Sequence, residues 1–350
     1  MSITLDIKKR FRGFALDISF SSNGRPLGIL GASGSGKSMT LKCIAGIETP
    51  DSGYIEVNGR VLFDSAKKIN VRPQRRRVGY LFQSYALFPN MTVTQNIRAA
   101  IIGGKAEKAR RCEALISRFA LQGLEKRYPA QLSGGQQQRA ALARILAYNP
   151  DMLLLDEPFS ALDAYLKEAL QIEMKKLLAG YEGDAILVSH NRDEVYSLCE
   201  NLLVMDEGRN IASGPVRDMF QRPGSLAVAR LTGCKNITPA RRAGFALVEA
   251  PEWGLTLAVE SPVPEGLKYI GVRAHDFMPA GESTVNAFDI HVLDCVESPF
   301  EWNYLCHSEN APGQNGTLWW KAPKELRNMA PIAAPPGRLC VAPQNVLLLE

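Results

Sequence analysis

A glycine-rich segment near the start of the chain has the residue types and spacing of a phosphate-binding loop. The pattern G-x-x-x-x-G-K-[ST] is matched at every position by Gly31-Ala32-Ser33-Gly34-Ser35-Gly36-Lys37-Ser38, and Met39 follows it. Glycines let backbone N–H groups turn toward phosphate oxygens, and the helix that follows adds the positive end of its dipole. We expect Lys37 to reach the β and γ phosphates of a nucleotide and the Ser38 hydroxyl to bind Mg²⁺.

A second chemical element is a pair of acids at the end of a buried strand. The run 152–155 is entirely apolar, which is typical of a parallel strand covered on both faces, and Asp156 and Glu157 follow it directly. A carboxylate in that position is costly unless it meets a cation. We therefore expect Asp156 to support Mg²⁺ and Glu157 to polarise an attacking water. Alternatively, the two acids only cap a helix, since Pro158 comes next.

The elements that must position these residues alternate between strand and helix. Apolar strands are predicted at 26–30 and 185–188, and helices at 39–45 and 164–178. Strands that alternate with helices predict a parallel α/β sheet. Residues 90–148 carry almost no strand pattern, and we expect them to be helical.

The overall composition limits the class of protein. The 350 residues predict about two domains, and 46% apolar with 22% charged residues excludes a disordered or fibrous chain. No run approaches the roughly 18 apolar residues of a membrane span, and the N-terminal pattern does not predict a secretory signal. The seven cysteines are scattered without a Cys-x-x-Cys pair, which argues against a disulfide framework or a zinc site. We expect no metal site at the irregularly spaced His275, His291 and His307.

A change in composition predicts a domain boundary near residue 233. The last 118 residues hold 12 of the 21 prolines and all four tryptophans, among short apolar stretches that predict a small β barrel or sandwich. Residues 1–232 contain 32 Lys and Arg against 23 Asp and Glu, whereas residues 233–350 contain 9 against 13. The basic part could face nucleotide, nucleic acid or an anionic membrane, although an ordinary solvated surface explains the same charge.

The segment Leu132-Ser133-Gly134-Gly135-Gln136 lies between the phosphate loop and the acidic strand and precedes a helical run. With this pentapeptide, residues 1–232 resemble the ATP-binding subunits of ABC transporters, of which it is the signature. A hydroxyl and two glycines at a helix N-terminus are suited to a γ-phosphate. In that family the signature binds the nucleotide of the partner subunit, so that two chains enclose two ATP molecules head to tail.

The resemblance implies the fold and further site residues. It predicts an α/β P-loop nucleotide-binding domain with a helical subdomain over about 84–148, followed by a small all-β, OB-like barrel over 233–350. It implies that Gln83 contacts Mg²⁺ and water, that Asp163 crosses the dimer to the partner's site, and that His190 contacts the γ-phosphate. We expect an aromatic ring to stack on adenine, and we prefer Phe11 to Phe14, which is better explained as a core strand residue.

The same resemblance implies a role in import. One nucleotide domain with no membrane span and an added C-terminal β domain belongs, in this family, to bacterial importers. Segments 58–65 and 67–79 are similar to molybdate-type importer ATPases, so molybdate is the expected substrate. Sulfate or tungstate comes next, and a sugar or polyamine after that. A different class of function is a non-transporting, ATP-dependent regulatory switch, against which the presence of Glu157 argues.

The family also implies partners, cofactors and location. We expect a homodimer that binds two transmembrane permease subunits, served by a periplasmic or lipid-anchored oxyanion-binding protein, with no nucleic acid. The cofactors would be ATP and Mg²⁺. The subunit is expected to be peripheral, at the cytoplasmic face of the inner membrane. Residues 233–350 would have a regulatory or dimerising role.

Overall fold

The computed structural model of the chain describes residues 2–160, 162, 164–281, 284–313, 316–324 and 337–350. The chain divides into two compact units, Met1–Arg217 and Asp218–Glu350. This division falls before the helix Leu226–Leu231, whereas the sequence prediction placed the boundary after that helix. The physical reason is one buried cluster, in which Ala229 and Cys234 pack with Leu347 and Leu349 at the end of the chain.

In the first unit, the described strands belong to one sheet, and its order is β6-β5-β4-β1-β2-β11-β10-β3-β9-β8-β7. The strands are β1 (Ile3–Phe11), β2 (Phe14–Ser22), β3 (Leu27–Gly31), β4 (Ser52–Val57), β5 (Arg60–Asp64), β6 (Ile69–Asn70), β7 (Val78–Leu81), β8 (Met152–Asp156), β9 (Asp184–Ser189), β10 (Asn201–Asp206) and β11 (Arg209–Pro215). The helices are α1 (Lys37–Ala45), α2 (Val93–Ala100), α3 (Lys105–Arg118), α4 (Gly134–Ala147), α5 (Ala164–Ala179), α6 (Arg192–Leu198) and α7 (Val216–Gln221), which runs into the second unit.

The strands β10, β3, β9, β8 and β7 are parallel neighbours. Every residue of β3, β8 and β9 is buried, as the uninterrupted apolar runs predicted. Because parallel strands end at the same edge of a sheet, the segments that follow β3, β7, β8 and β9 all begin there. The sheet therefore brings together the phosphate loop, Gln83, Glu157 and His190.

Residues between β7 and β8 form helices α2, α3 and α4. Thr92 is the N-cap of helix α2 and Ser133 is the N-cap of α4, and each forms a reciprocal capping box. Their buried side chains include Val93 and Ile97 on α2 and Leu142 on α4. Among the residues described, no helix anywhere in the chain is long and apolar enough to cross a membrane.

The second unit is an all-β domain preceded by helix α8 (Leu226–Leu231). Its described strands form three sheets, ordered β12-β16-β22, β13-β14-β15 and β17-β21-β18-β19-β20. They surround an apolar core in which the Trp320 indole donates a hydrogen bond to the Phe277 carbonyl at 3.0 Å. This confirms the predicted small barrel-like β domain.

The strands of the second unit are β12 (Asn236–Pro239), β13 (Arg241–Arg242), β14 (Leu247–Ala250), β15 (Leu255–Ala258), β16 (Tyr269–Val272), β17 (Phe277–Pro279), β18 (Ala287–Glu297), β19 (Glu301–Ser308), β20 (Thr317–Pro323), β21 (Arg338–Val341) and β22 (Leu347–Leu349).

Candidate functional site

The glycine-rich loop joins the end of β3 to the first turn of α1. Gly36 caps the helix in the left-handed conformation, with φ of 97°. A Cβ at Gly36 would lie 2.9 Å from the Phe14 ring, and a Cβ at Gly31 would lie 2.3 Å from the Met205 carbonyl oxygen. Glycine is therefore required at both positions. At Gly36 both the backbone conformation and the close packing require it, and at Gly31 the close packing does.

The loop encloses polar groups that suit an anion. Lys37 is buried, and its Nζ donates to the carbonyl oxygens of Gly31 and Ala32, both at 2.8 Å. Burial lowers the pKa of Lys37, while the charges of Glu157 and Asp156 partly offset this. The Ser35 hydroxyl is buried without a hydrogen-bond partner in the described part of the chain. A buried ammonium and an unpartnered hydroxyl beside a helix N-terminus are features that a phosphate group would satisfy.

Asp156 receives a different hydrogen bond at each carboxylate oxygen. The Ser38 hydroxyl donates to Oδ1 and the Tyr80 hydroxyl donates to Oδ2, both at 2.8 Å. Burial and the charge of Asp156 raise the pKa of Tyr80 far above its ordinary value, so this hydroxyl stays a donor. Hydroxyl and carboxylate oxygens are ligands that Mg²⁺ prefers, and Ser38 with Asp156 therefore fits that ion.

Glu157 and His190 meet where β8 and β9 end. His190 Nδ1 lies 3.2 Å from Glu157 Oε1, and the Glu157 amide donates to the Val188 carbonyl at 2.9 Å. Glu157 has a φ of 46°, in the left-handed region that glycine favours. Strain of this kind at a non-glycine residue is common at functional sites. The predicted base and the predicted histidine therefore form a single pair.

The segment 132–136 begins helix α4. Ser133 Oγ accepts from the Gln136 amide at 3.4 Å, and Gln136 Oε1 accepts from the Ser133 amide at 3.0 Å. Gly135 is buried, and a Cβ there would lie 3.2 Å from Leu170 Cδ1. Gly134 is half-buried and Ser133 is exposed, so that the N-terminus of α4 is open to a ligand from outside the chain.

Comparison with known proteins decides the family. The family described as ABC transporter matches residues 16–160. The sulfate/thiosulfate import ATP-binding protein CysA 2 of Chromobacterium violaceum is 40% identical, over 73% of this chain and 69% of its own length. The chain belongs to the ABC transporter ATP-binding proteins. The molybdate/tungstate import ATP-binding protein WtpC of Thermococcus kodakarensis is 38% identical to this ABC protein, over 83% of this chain and 88% of its own length.

A solved structure supports the same family assignment. The dimeric ATP-binding cassette MJ0796, in a post-hydrolysis state bound to ADP and Pi, has a TM-score of 0.52 and 26% identity. The match covers 61% of this chain and 99% of the cassette. The family resemblance predicted from the signature and the phosphate loop is thus confirmed. The ATP-binding fold belongs to the first part of this ABC protein.

The remaining predicted site residues of this ABC protein lie in different settings. Gln83 is exposed just beyond β7, and Met39 is half-buried against the core. Phe11 is half-buried, with its ring 6.1 Å from that of Phe14 and the Lys9 ammonium 5.2 Å above it. Phe14 itself packs against the core.

Asp163 lies outside the described residues. The sequence analysis did not predict that Tyr80 contacts Asp156. The signal that could have indicated this contact is a hydroxyl-bearing residue inside the strand next to the acidic strand.

Proposed function

We propose that this ABC protein hydrolyses ATP to drive import of an oxyanion, and that molybdate is that oxyanion. The observation that supports hydrolysis is that the predicted residues lie together in one site. Lys37 bonds to the loop, Ser38 bonds to Asp156, and His190 pairs with Glu157. Support for molybdate comes from segments 58–65 and 67–79 and from the relative WtpC, whose length this chain mostly covers. A second candidate is sulfate, which the relative CysA 2 favours.

The phosphate loop would bind and orient the triphosphate. Its backbone N–H groups and Lys37 hold the β and γ phosphates, and Ser38 with Asp156 holds the metal. Bound Mg²⁺ supplies positive charge that neutralises the developing charge on the γ-phosphoryl group. Gln83 is assigned to the metal and the attacking water, and the Phe11 ring to stacking on adenine.

Glu157 is proposed to take the proton of the attacking water. Its Oε1 lies 3.2 Å from His190 Nδ1, so the histidine would hold the carboxylate in one orientation. His190 is also proposed to contact the γ-phosphate. A positioned general base contributes about 10²–10⁴-fold to the rate of such a step. The hydrogen bond from the Glu157 amide to the Val188 carbonyl holds this residue at the end of β8.

A second copy of the chain is proposed to complete each site. Ser133, Gly134, Gly135 and Gln136 stand at the exposed N-terminus of α4 and would bind the γ-phosphate of the partner's nucleotide. Asp163 would cross to the partner's site. Closure of the two chains around ATP is then the conformational step that drives two transmembrane permease subunits.

With these membrane partners, the protein would be peripheral, at the cytoplasmic face of the inner membrane. An oxyanion-binding protein, periplasmic or lipid-anchored, would deliver the substrate to the permease. The second unit is proposed to regulate transport or to hold two copies together. None of the site residues named above contacts the oxyanion in this proposal, because recognition belongs to the other subunits.

Uptake of labelled molybdate and labelled sulfate tests the proposal. Cells lacking this gene are compared with cells that carry it, and with cells that carry Glu157→Gln. Loss of molybdate uptake alone, restored by the wild-type gene and not by the variant, is the expected result. Loss of sulfate uptake alone would replace molybdate by sulfate. Unchanged uptake of both would shift the proposal to a sugar or polyamine and, if their uptake is also unchanged, to a regulatory switch.

A further inference from the structure

We propose that Tyr80 is a positioning residue, which fixes the Asp156 carboxylate in the orientation that binds the metal of the nucleotide. This inference rests on the Mg²⁺-ATP site proposed above. Strand β7 is the parallel neighbour of β8, and Tyr80 lies opposite Leu154, two residues before Asp156. The Tyr80 hydroxyl reaches Asp156 Oδ2 at 2.8 Å from that neighbouring strand.

The two donors bind different oxygen atoms of the Asp156 carboxylate. Ser38, on the phosphate-loop helix, bonds Oδ1, whereas Tyr80 bonds Oδ2. With Oδ2 bonded, the carboxylate cannot rotate about its Cβ–Cγ bond without breaking a charge-assisted hydrogen bond. Oδ1 is thereby kept on the Ser38 side, where hydroxyl and carboxylate oxygens lie together.

The Tyr80 ring is itself rigid. It is 9% exposed and belongs to the main core cluster of the first unit, together with Met152 and Leu154 of β8. The Phe82 ring packs against it, with the ring centroids 4.3 Å apart. Burial and packing of this kind restrict the rotamers of the side chain, which is the property that a positioning residue needs. Groups that orient a metal ligand commonly change metal affinity about 10- to 100-fold when they are removed.

The test is the affinity for a fluorescent, slowly hydrolysed ATP analogue, measured with Mg²⁺ and again with EDTA. Tyr80→Phe keeps the ring and removes the hydroxyl. We expect the Kd with Mg²⁺ to rise about tenfold, and the Kd in EDTA to stay unchanged, because only the metal depends on the carboxylate. Electron paramagnetic resonance of Mn²⁺ used in place of Mg²⁺ reports the same weakening at the metal.

A matched control is Tyr181→Phe, because the Tyr181 hydroxyl donates to the Pro150 carbonyl at 2.7 Å, a contact that does not involve the site. Both of its Kd values should equal those of the wild type. If Tyr80→Phe does not fold, Tyr80→Leu, which also lacks the hydroxyl, replaces it.

Three results would overturn the inference. An unchanged Mg²⁺-dependent Kd in Tyr80→Phe would show that the hydroxyl does not matter. A similar rise in both Kd values would mean that Tyr80 only supports the fold. If wild-type protein binds the analogue equally with Mg²⁺ and with EDTA, the proposed Mg²⁺ site is wrong, and so is the role of Tyr80 that rests on it.

Discussion

His190 Nδ1 lies 3.2 Å from Glu157 Oε1, although 32 residues separate the two along the chain. The sheet accounts for this proximity, because β8 and β9 are parallel neighbours with Asp156 opposite Val188. Each strand is followed within one residue by its functional side chain, so the two side chains emerge at one edge. Since the pair is set by strand register, a change at either residue should alter chemistry rather than folding.

Replacing Glu157 with Gln should abolish hydrolysis while ATP still binds. The amide cannot accept the proton of water, and loss of a general base lowers a rate by about 10²–10⁴-fold. Phosphate release and the Kd for ATP measure the two effects separately. Glu168→Gln, an exposed glutamate on α5, is the control and should behave as the wild type. A Glu157→Gln protein that hydrolyses ATP at the normal rate would show that another group is the base.

Lys37→Ala should weaken ATP binding by at least about tenfold, since charge-assisted hydrogen bonds contribute about 1.5–3 kcal/mol each. The ammonium now bonds the Gly31 and Ala32 carbonyl oxygens, and it would be freed to meet the phosphates. Fluorescence titration with a labelled ATP analogue gives the Kd. The control is Lys42→Ala, because Lys42 lies on the same helix beyond the loop. This variant should bind ATP with the wild-type Kd. Full affinity in Lys37→Ala would contradict a phosphate-binding role for the loop.

The sequence contained enough to predict the loop and the parallel strands. Their signals are local: a fixed glycine spacing at 31–36 and uninterrupted apolar runs such as 152–155. The bond between Tyr80 and Asp156 joins residues 76 positions apart, and it depends on which strands become neighbours. Periodicity along one strand carries no information about its neighbour, which is why that contact was not foreseen.

The unit division differed from its prediction for a similar reason. Composition changes near residue 233, but packing decides where a unit begins. Helix α8 precedes that change, yet Ala229 on it packs with Leu347 and Leu349 from the end of the chain. A contact between segments so distant in sequence leaves no mark on local composition.

Arg76 is predicted to be the main support of the end of helix α1. It is 1% exposed, and its guanidinium donates to the carbonyl oxygens of Cys43, Ile44 and Val71 at 2.8 Å. Burial lowers its pKa to about 10, so it remains charged at neutral pH and complements the negative end of the helix dipole. Arg76→Met removes three hydrogen bonds to buried carbonyl oxygens and should lower the free energy of unfolding by about 3 kcal/mol.

Urea unfolding of Arg76→Met and of its exposed neighbour variant, Arg75→Met, measures this difference. The neighbour should change the free energy of unfolding by less than about 0.5 kcal/mol. Equal stability of the two variants would show that solvent replaces the guanidinium at the helix end.

Asp184 should make the stability of the first unit depend on pH. Asp184 is 3% exposed at the start of β9, and this burial raises the pKa of its carboxyl above the ordinary value of 3.8. Between 3.8 and the raised pKa, the folded chain binds more protons at this residue than the unfolded chain. The contribution of this carboxyl to the free energy of unfolding is therefore complete below pH 3.8. It is lost as the pH rises through the pKa of Asp184 in the folded chain.

Asp184→Asn removes that titration, because an amide stays neutral. Relative to the wild type, the variant should gain free energy of unfolding as pH rises from about 4 toward neutrality, with the largest gain above the folded pKa. Urea unfolding at a series of pH values measures the difference, and Asp6→Asn, an exposed position on β1, provides the control slope. A difference between Asp184→Asn and wild type that is constant over this range would mean that the buried carboxyl does not titrate with folding. A difference that grows with pH, and is absent for Asp6→Asn, places the effect at the buried start of β9.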